Sequence, residues 1–144
     1  MYTSNLASAY SDLHMETDVA SADPHKLILM LFEGAILAIS RARLDMTNNE
    51  IAAKGKSVSH AITIIDNGLK ASLDMNVGGE IAKNLASLYD YMTMRLLVSN
   101  MNNSVEGLDE VRKLLLELKE AWEAITPQTS LAEAPRQSAS YGKI

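Results

Sequence analysis

The groups able to do chemistry in this 144-residue chain are three histidines, eighteen carboxylates and thirteen basic side chains; there is no cysteine. A helical bundle can carry a di-iron centre, which needs Glu-x-x-His on two helices with the carboxylates turned inward. The histidines are His14, His25 and His60, and three residues before them stand Ser11, Ala22 and Ser57. The ligand arithmetic for a metal site therefore fails. Without cysteine, disulfides, thiol catalysis and thiolate zinc are excluded. The paired glycines Gly78 and Gly79 follow a helical run and not a strand, so they form no dinucleotide or phosphate loop. His25 falls in the first turn of a helix and His60 on a polar face, and both read as solvated surface histidines. Most acidic residues fall on outward helix faces, where solvation is their ordinary role. The residues point to a protein with no catalytic group, no cofactor and no metal.

The search then turns to the elements themselves. Apolar residues make up 47% of the chain, which is too many for a disordered protein and enough for one domain with a core. Aromatics are few while Ala, Leu, Ile and Met are many, a balance that favours helix over strand. The N-terminus has no basic stretch followed by an apolar one, and no apolar run approaches the roughly 18 residues a membrane span needs. The expectation is a soluble, cytoplasmic protein that does not insert into membrane. A net charge of −5 disfavours nucleic acid and anionic membrane as partners.

Four helical segments are expected in an antiparallel up-down-up-down bundle, an all-α fold. Asp23 caps the first and Pro24 takes its first position. It runs to about Met46 with Leu27, Ile28, Leu31, Ala35, Ile39 and Ala42 toward the core. The second runs from about Glu50 to Leu73 and buries Ile51, Val58, Ile62, Ile65, Leu69 and Leu73. The third, from about Gly79 to Met101, buries Ile81, Leu85, Leu88, Tyr89, Met92 and Leu96. Ser104 caps the fourth, where Leu108, Val111, Leu115, Leu118, Trp122 and Ile125 repeat at alternating threes and fours, a heptad seam stopped by Pro127. The bundle is expected over residues 23–126. Residues 127–144 read as a disordered tail. In residues 1–22, Tyr2, Leu6, Ala9, Tyr10 and Leu13 can share one face of a short amphipathic helix, too short to be stable without a surface to lie on.

Apolar residues are left over once the core is assigned. The run Leu27–Phe32 is six residues long, and at 100° per residue it points apolar side chains in nearly every direction. Leu29, Met30, Ile36 and Leu37 fall off the core face of the first helix. On the third helix, Tyr91, Met94, Val98 and Met101 form a second stripe. On the second, Ser57, Ala61, Ile64, Gly68 and Ala71 form a line of mostly small residues, a shallow channel in which another helix could lie. Stripes of this kind mark interaction surfaces on soluble proteins, and methionine adds adaptability to them. The expected mode is an amphipathic helix in a groove. Leu6, Tyr10 and Leu13 would cover part of that groove as a lid when no partner is bound.

Three stretches, "ADPHKLILMLFEGAILAISRA", "GGEIAKNLASLYDYMTMRLLVSNM" and "LDEVRKLLLELKEAW", together resemble the FliS family of flagellar export chaperones over about residues 10–125. The resemblance implies a helical chaperone without enzymatic activity. It implies a cytosolic protein that binds the C-terminal segment of newly made flagellin, prevents early polymerisation and escorts it to the flagellar type III export apparatus. The family's client segment becomes helical as it wraps the bundle. The family's N-terminal tyrosine, associated with a movable segment, matches Tyr10, and its "YDYM" pair matches Tyr89 and Tyr91. By helical count Tyr89 faces the core and Tyr91 faces out.

The resulting expectation is a chaperone, monomeric or a weak dimer when free, that binds flagellin 1:1 and meets an export-gate component. Two alternatives belong to other classes: a structural or regulatory bundle that homodimerises through the same stripe, and a metal-dependent bundle enzyme.

Overall fold

Three of the four helices begin where a side chain satisfies their first free backbone N–H groups; the second, after Glu50, has no such cap. A computed structural model describes residues 23–125 and places four α-helices there: α1 (Pro24–Thr47), α2 (Ile51–Thr63), α3 (Met75–Asn102) and α4 (Val105–Glu123). Asp23 Oδ1 accepts from the Lys26 amide at 2.8 Å, Asp74 Oδ1 accepts from those of Asn76 and Val77 at 3.0 Å, and Ser104 Oγ accepts from Gly107 at 3.2 Å. Asn49 and Asn103 stand at positive φ just beyond α1 and α3, the left-handed exit that asparagine tolerates. Among the described residues there is no strand. The N-terminal segment with Leu6, Tyr10 and Leu13, and the tail beyond Pro127, lie outside the described residues.

Two boundaries differ from the sequence expectation. The second segment is not α-helical throughout: past Thr63 it continues as a π-helical segment, Ile64–Lys70. Ile64, Gly68 and Leu69, all buried, follow the four-and-five spacing of that wider helix. The third helix starts at Met75, ahead of Gly79, where the backbone kinks at φ 55°, ψ −129°. Only glycine adopts that conformation without strain.

Cross-helix contacts set the topology. His25 meets Trp122 while Ser40 meets Arg112 and Arg43 meets Asp109, so α1 and α4 run in opposite directions. Lys54 with Asn100 and Lys70 with Asp90 do the same for α2 and α3. The bundle is an antiparallel square in which α1 lies diagonally from α3. Its core holds Leu31, Phe32, Ala35, Ile39 and Ala42 of α1, Val58, Ala61, Ile64, Ile65 and Leu69 of the second segment, Tyr89, Met92 and Leu96 of α3, and Leu108, Val111 and Leu115 of α4. Burial holds the Tyr89 hydroxyl well above its ordinary titration range.

Several residues fall on other faces than expected. Ile51 is 71% exposed and Ile81 is exposed as well, because each sits in the first turns of its helix, beyond the reach of the opposing core. Met30 is buried, and Leu29 and Ile36 are half-buried, so of the leftover residues on α1 only Leu37 faces solvent. His25 is not a free surface histidine. Its ring stacks on Trp122 at 4.9 Å between centroids, and two hydrogen bonds of 2.9 Å join the residues. The indole N–H donates to the His25 carbonyl, and His25 Nε2–H donates to the Trp122 carbonyl, which fixes the tautomer. The pair ties the start of α1 to the end of α4. His60 is half-buried with its Nε2 enclosed and without a partner.

The other ends are tied by charge and by close approach. Lys54, almost wholly buried, donates to the Asn100 carbonyl at 3.0 Å and to Asn103 Oδ1 at 2.6 Å, placing a cation at the C-terminus of α3. Gly107 brings α4 against α3: a Cβ there would overlap Ser99 Oγ and stand 2.9 Å from Ser99 Cβ. Gly107→Ala is therefore expected to destabilise by about 1–3 kcal/mol through overpacking. Gly55→Ala, where a Cβ meets nothing within 4 Å, should be neutral or stabilising by up to about 1 kcal/mol. Urea unfolding of the two variants beside the parent checks both signs.

Candidate functional site

At 3.6 residues per turn, Met94 and Met101 of α3 lie within about 20° of each other and opposite the buried Met92 and Leu96. The structure accordingly leaves Met94 60% exposed and Met101 71% exposed. Tyr91 and Leu97 flank them at 45% and 47%, and Val98 is half-buried between them. These side chains form a continuous apolar ridge along the outward face of α3.

Polar contacts locate the two grooves beside the ridge. Asp90 reaches Lys70 of the second segment at 2.7 Å, and Asn100 accepts from Lys54, so Leu97 and Met101 lean toward α2. On the other side the Tyr91 hydroxyl donates to Glu110 Oε2 at 2.6 Å and Arg95 Nε donates to Oε1 at 2.7 Å, so Tyr91 leans toward α4. The hydrogen bonds from Tyr91 and Arg95 hold the Glu110 carboxyl below its ordinary range, and that bond to Glu110 raises the Tyr91 hydroxyl.

The line expected on the second segment does not form an open channel. Ala61, Ile64 and Gly68 are buried in the core, Ser57 is half-buried with its hydroxyl 3.4 Å from Asp45 of α1, and Ala71 is half-buried at the end of the π-helical segment. The small residues do permit a helix to approach closely, but that helix is α1. A Cβ on Gly68 would meet Leu31 Cδ2 at 3.0 Å. By the same helical rotation, the residues of α2 that border the α3 ridge are Ile51, Gly55 and Ile62. The sequence pattern assigned Ile51 and Ile62 to the core and singled out neither Gly55 nor Leu97. Gly55, with open space over its Cα, is the signal that could have marked this side.

The described residues hold no group of three or more His, Asp or Glu side chains able to bind a metal, and none of their helices is long and apolar enough to cross a membrane. The ridge offers burial and shape, not reactive groups.

Comparison with known proteins agrees on one family. A family model for the flagellar protein FliS matches residues 6–129. The flagellar secretion chaperone FliS of Salmonella typhimurium is 50% identical over 134 residues, covering 93% of this chain and 99% of that protein. The chaperone of the same name from Escherichia coli is 40% identical over 94% of this chain and 99% of its own length. That of Bacillus subtilis is 29% identical over 76% of this chain and 80% of its own.

The Glu110 network should show in pH dependence. Its folded-state value is depressed, so its contribution to stability is present above the ordinary carboxylate range and is lost as pH falls through the folded value. Glu110→Gln should lower the melting temperature slightly at pH 7, the effect being small because the groups are solvent-facing and screened by salt. In acid, where Glu110 is protonated in both states, the difference should vanish; thermal melts across pH read this directly.

Proposed function

This chain belongs to the FliS family of flagellar secretion chaperones, and on that premise we propose that it caps the C-terminal segment of flagellin in the cytosol. It acts by binding and not by catalysis. One chaperone takes one flagellin, occupies the segment through which the subunits polymerise, and delivers it to the flagellar type III export apparatus, where an export-gate component receives it.

The observation that carries this reading is the apolar ridge of α3, exposed on a bundle whose core is complete without it. An amphipathic helix laid beside Met94, Leu97 and Met101 would bury their exposed halves. Full burial of such a side chain contributes roughly 1.5–3 kcal/mol, and about half that area remains available here. A segment that folds on binding must offset its ordering cost of roughly 2–5 kcal/mol, so several contacts along a long surface are needed. Methionines suit such a surface because they repack around different side chains. Tyr91 and Val98 extend the ridge toward α4. Ser57, Ala61, Ile64, Gly68 and Ala71, which lie in the core or along the seam with α1, are not part of the ridge.

The test is titration with a peptide from the C-terminal end of the same organism's flagellin, followed by calorimetry and circular dichroism. Saturable 1:1 binding with a gain in helix is expected, and Met94→Glu should weaken it about tenfold or more while leaving the free protein's helix content unchanged. No binding at tens of micromolar, or concentration-dependent dimerisation blocked by Met94→Glu, would instead favour a bundle that homodimerises through the ridge.

A further inference from the structure

The edge of the bundle opposite the α2–α3 groove carries a different surface. Between α1 and α4 lies an open groove of about 590 Å³ lined by Ser40, Arg43, Asp109, Arg112, Lys113 and Leu116. Three cations against one carboxylate leave a local excess of two positive charges, in a chain whose net charge is −5. Asp109 is already taken by Arg43, whose Nε and Nη2 donate to its two oxygens at 2.8 and 3.4 Å.

Arg112 is held differently. Its Nε donates to Ser40 Oγ at 2.9 Å, and that hydroxyl in turn donates to the Ile36 carbonyl at 3.0 Å. The half-buried guanidinium is thereby oriented by a neutral group, and its terminal amino groups have no carboxylate partner among the described residues. Lys113 beside it is exposed and likewise makes no ion pair there. A guanidinium fork fixed in place with unspent donors matches the two oxygens of a carboxylate. The surroundings are apolar as well as cationic. Leu116 lines the groove, and Leu37 and Leu44, seven residues apart and exposed, stand on the adjoining face of α1.

We propose that this groove docks an acidic amphipathic helix of a second protein, one carboxylate of which is gripped by Arg112. A second carboxylate one turn away meets Lys113, and a leucine-sized side chain packs on Leu116. Charge complementarity selects the acidic segment. The leucines at heptad spacing favour a helix over a phosphate or a lipid headgroup, which would leave them uncovered. The site lies apart from the α3 ridge, so both surfaces can be occupied together.

The probe is a synthetic sixteen-residue helical peptide with glutamates and leucines on one face, measured by calorimetry against the full chain. The same peptide with Gln for every Glu serves as comparison. Saturable binding of the acidic peptide is expected, at least tenfold weaker for the Gln peptide and at least tenfold weaker for Arg112→Gln. Arg112→Lys should recover little, since an ammonium lacks the planar fork. Lys113→Gln, at an exposed position without a partner, should weaken binding about threefold even if Arg112→Gln lowers stability. Met94→Glu should leave it unchanged. Equal binding of the two peptides, indifference to Arg112→Gln and Lys113→Gln, or loss only on Met94→Glu would overturn the proposal. So would no binding at 1 mM peptide, or a finding that Arg112→Gln abolishes binding to phosphatidylglycerol vesicles or breaks a homodimer and leaves the peptide's affinity intact.

Discussion

The seam between α1 and the second segment is built from residues too small to hold two helices apart, and the rest of the bundle takes its positions from that contact. Ala35, Ala38 and Ala42 on one side and Ala61 and Gly68 on the other let Leu31 lie directly over Gly68. With α1 drawn in this closely, its apolar run has cover on two sides. Met30, Leu31 and Phe32 are buried, and Leu27 and Ile28 pack against the same cluster. That answers how six consecutive apolar residues are accommodated: the second segment covers one flank and α4 the other. Packing at this density leaves little room for movement in the seam. Adaptable surface is left to α3, diagonally across.

The four-helix pattern, the caps at Asp23 and Ser104, and the heptad seam of α4 were legible in the sequence because each rests on local rules of spacing and capping. The inward turn of Tyr89 and the outward turn of Tyr91, Met94 and Met101 followed from helical rotation alone. What could not be read was which neighbour each flank would meet. The line from Ser57 to Ala71 looks the same whether a partner or α1 fills it, since small residues report close approach and not the identity of what approaches. Ile51 and Ile81 satisfy the periodicity but lie in first turns, where the opposing helices no longer reach them. The π-helical segment after Thr63 leaves no mark in composition, and the pairing of His25 with Trp122 joins residues 97 positions apart.

A surface without reactive groups can still be specific when the frame that presents it is fixed. Its polar contacts are spent on fixing helices: Lys54 on the end of α3, the histidine–tryptophan pair on the outer ends of α1 and α4, and Glu110 between α3 and α4. A rigid frame presents the ridge without the cost of ordering it at the moment of binding. The methionines on that frame supply the remaining adjustment. Arg112 likewise ties α4 to α1 through Ser40, but its guanidinium has no carboxylate partner among the described residues, and it lies on the opposite edge.

Methionine methyl resonances offer the most direct test of where a client sits. The structure buries Met30, Met46 and Met92 and exposes Met94 and Met101. In the protein labelled at its methionine methyl groups and titrated with the flagellin C-terminal peptide, Met94 and Met101 should shift progressively and saturate together, while Met30, Met46 and Met92 keep their positions. Saturation with Met94 and Met101 unmoved would place the client elsewhere and contradict the account.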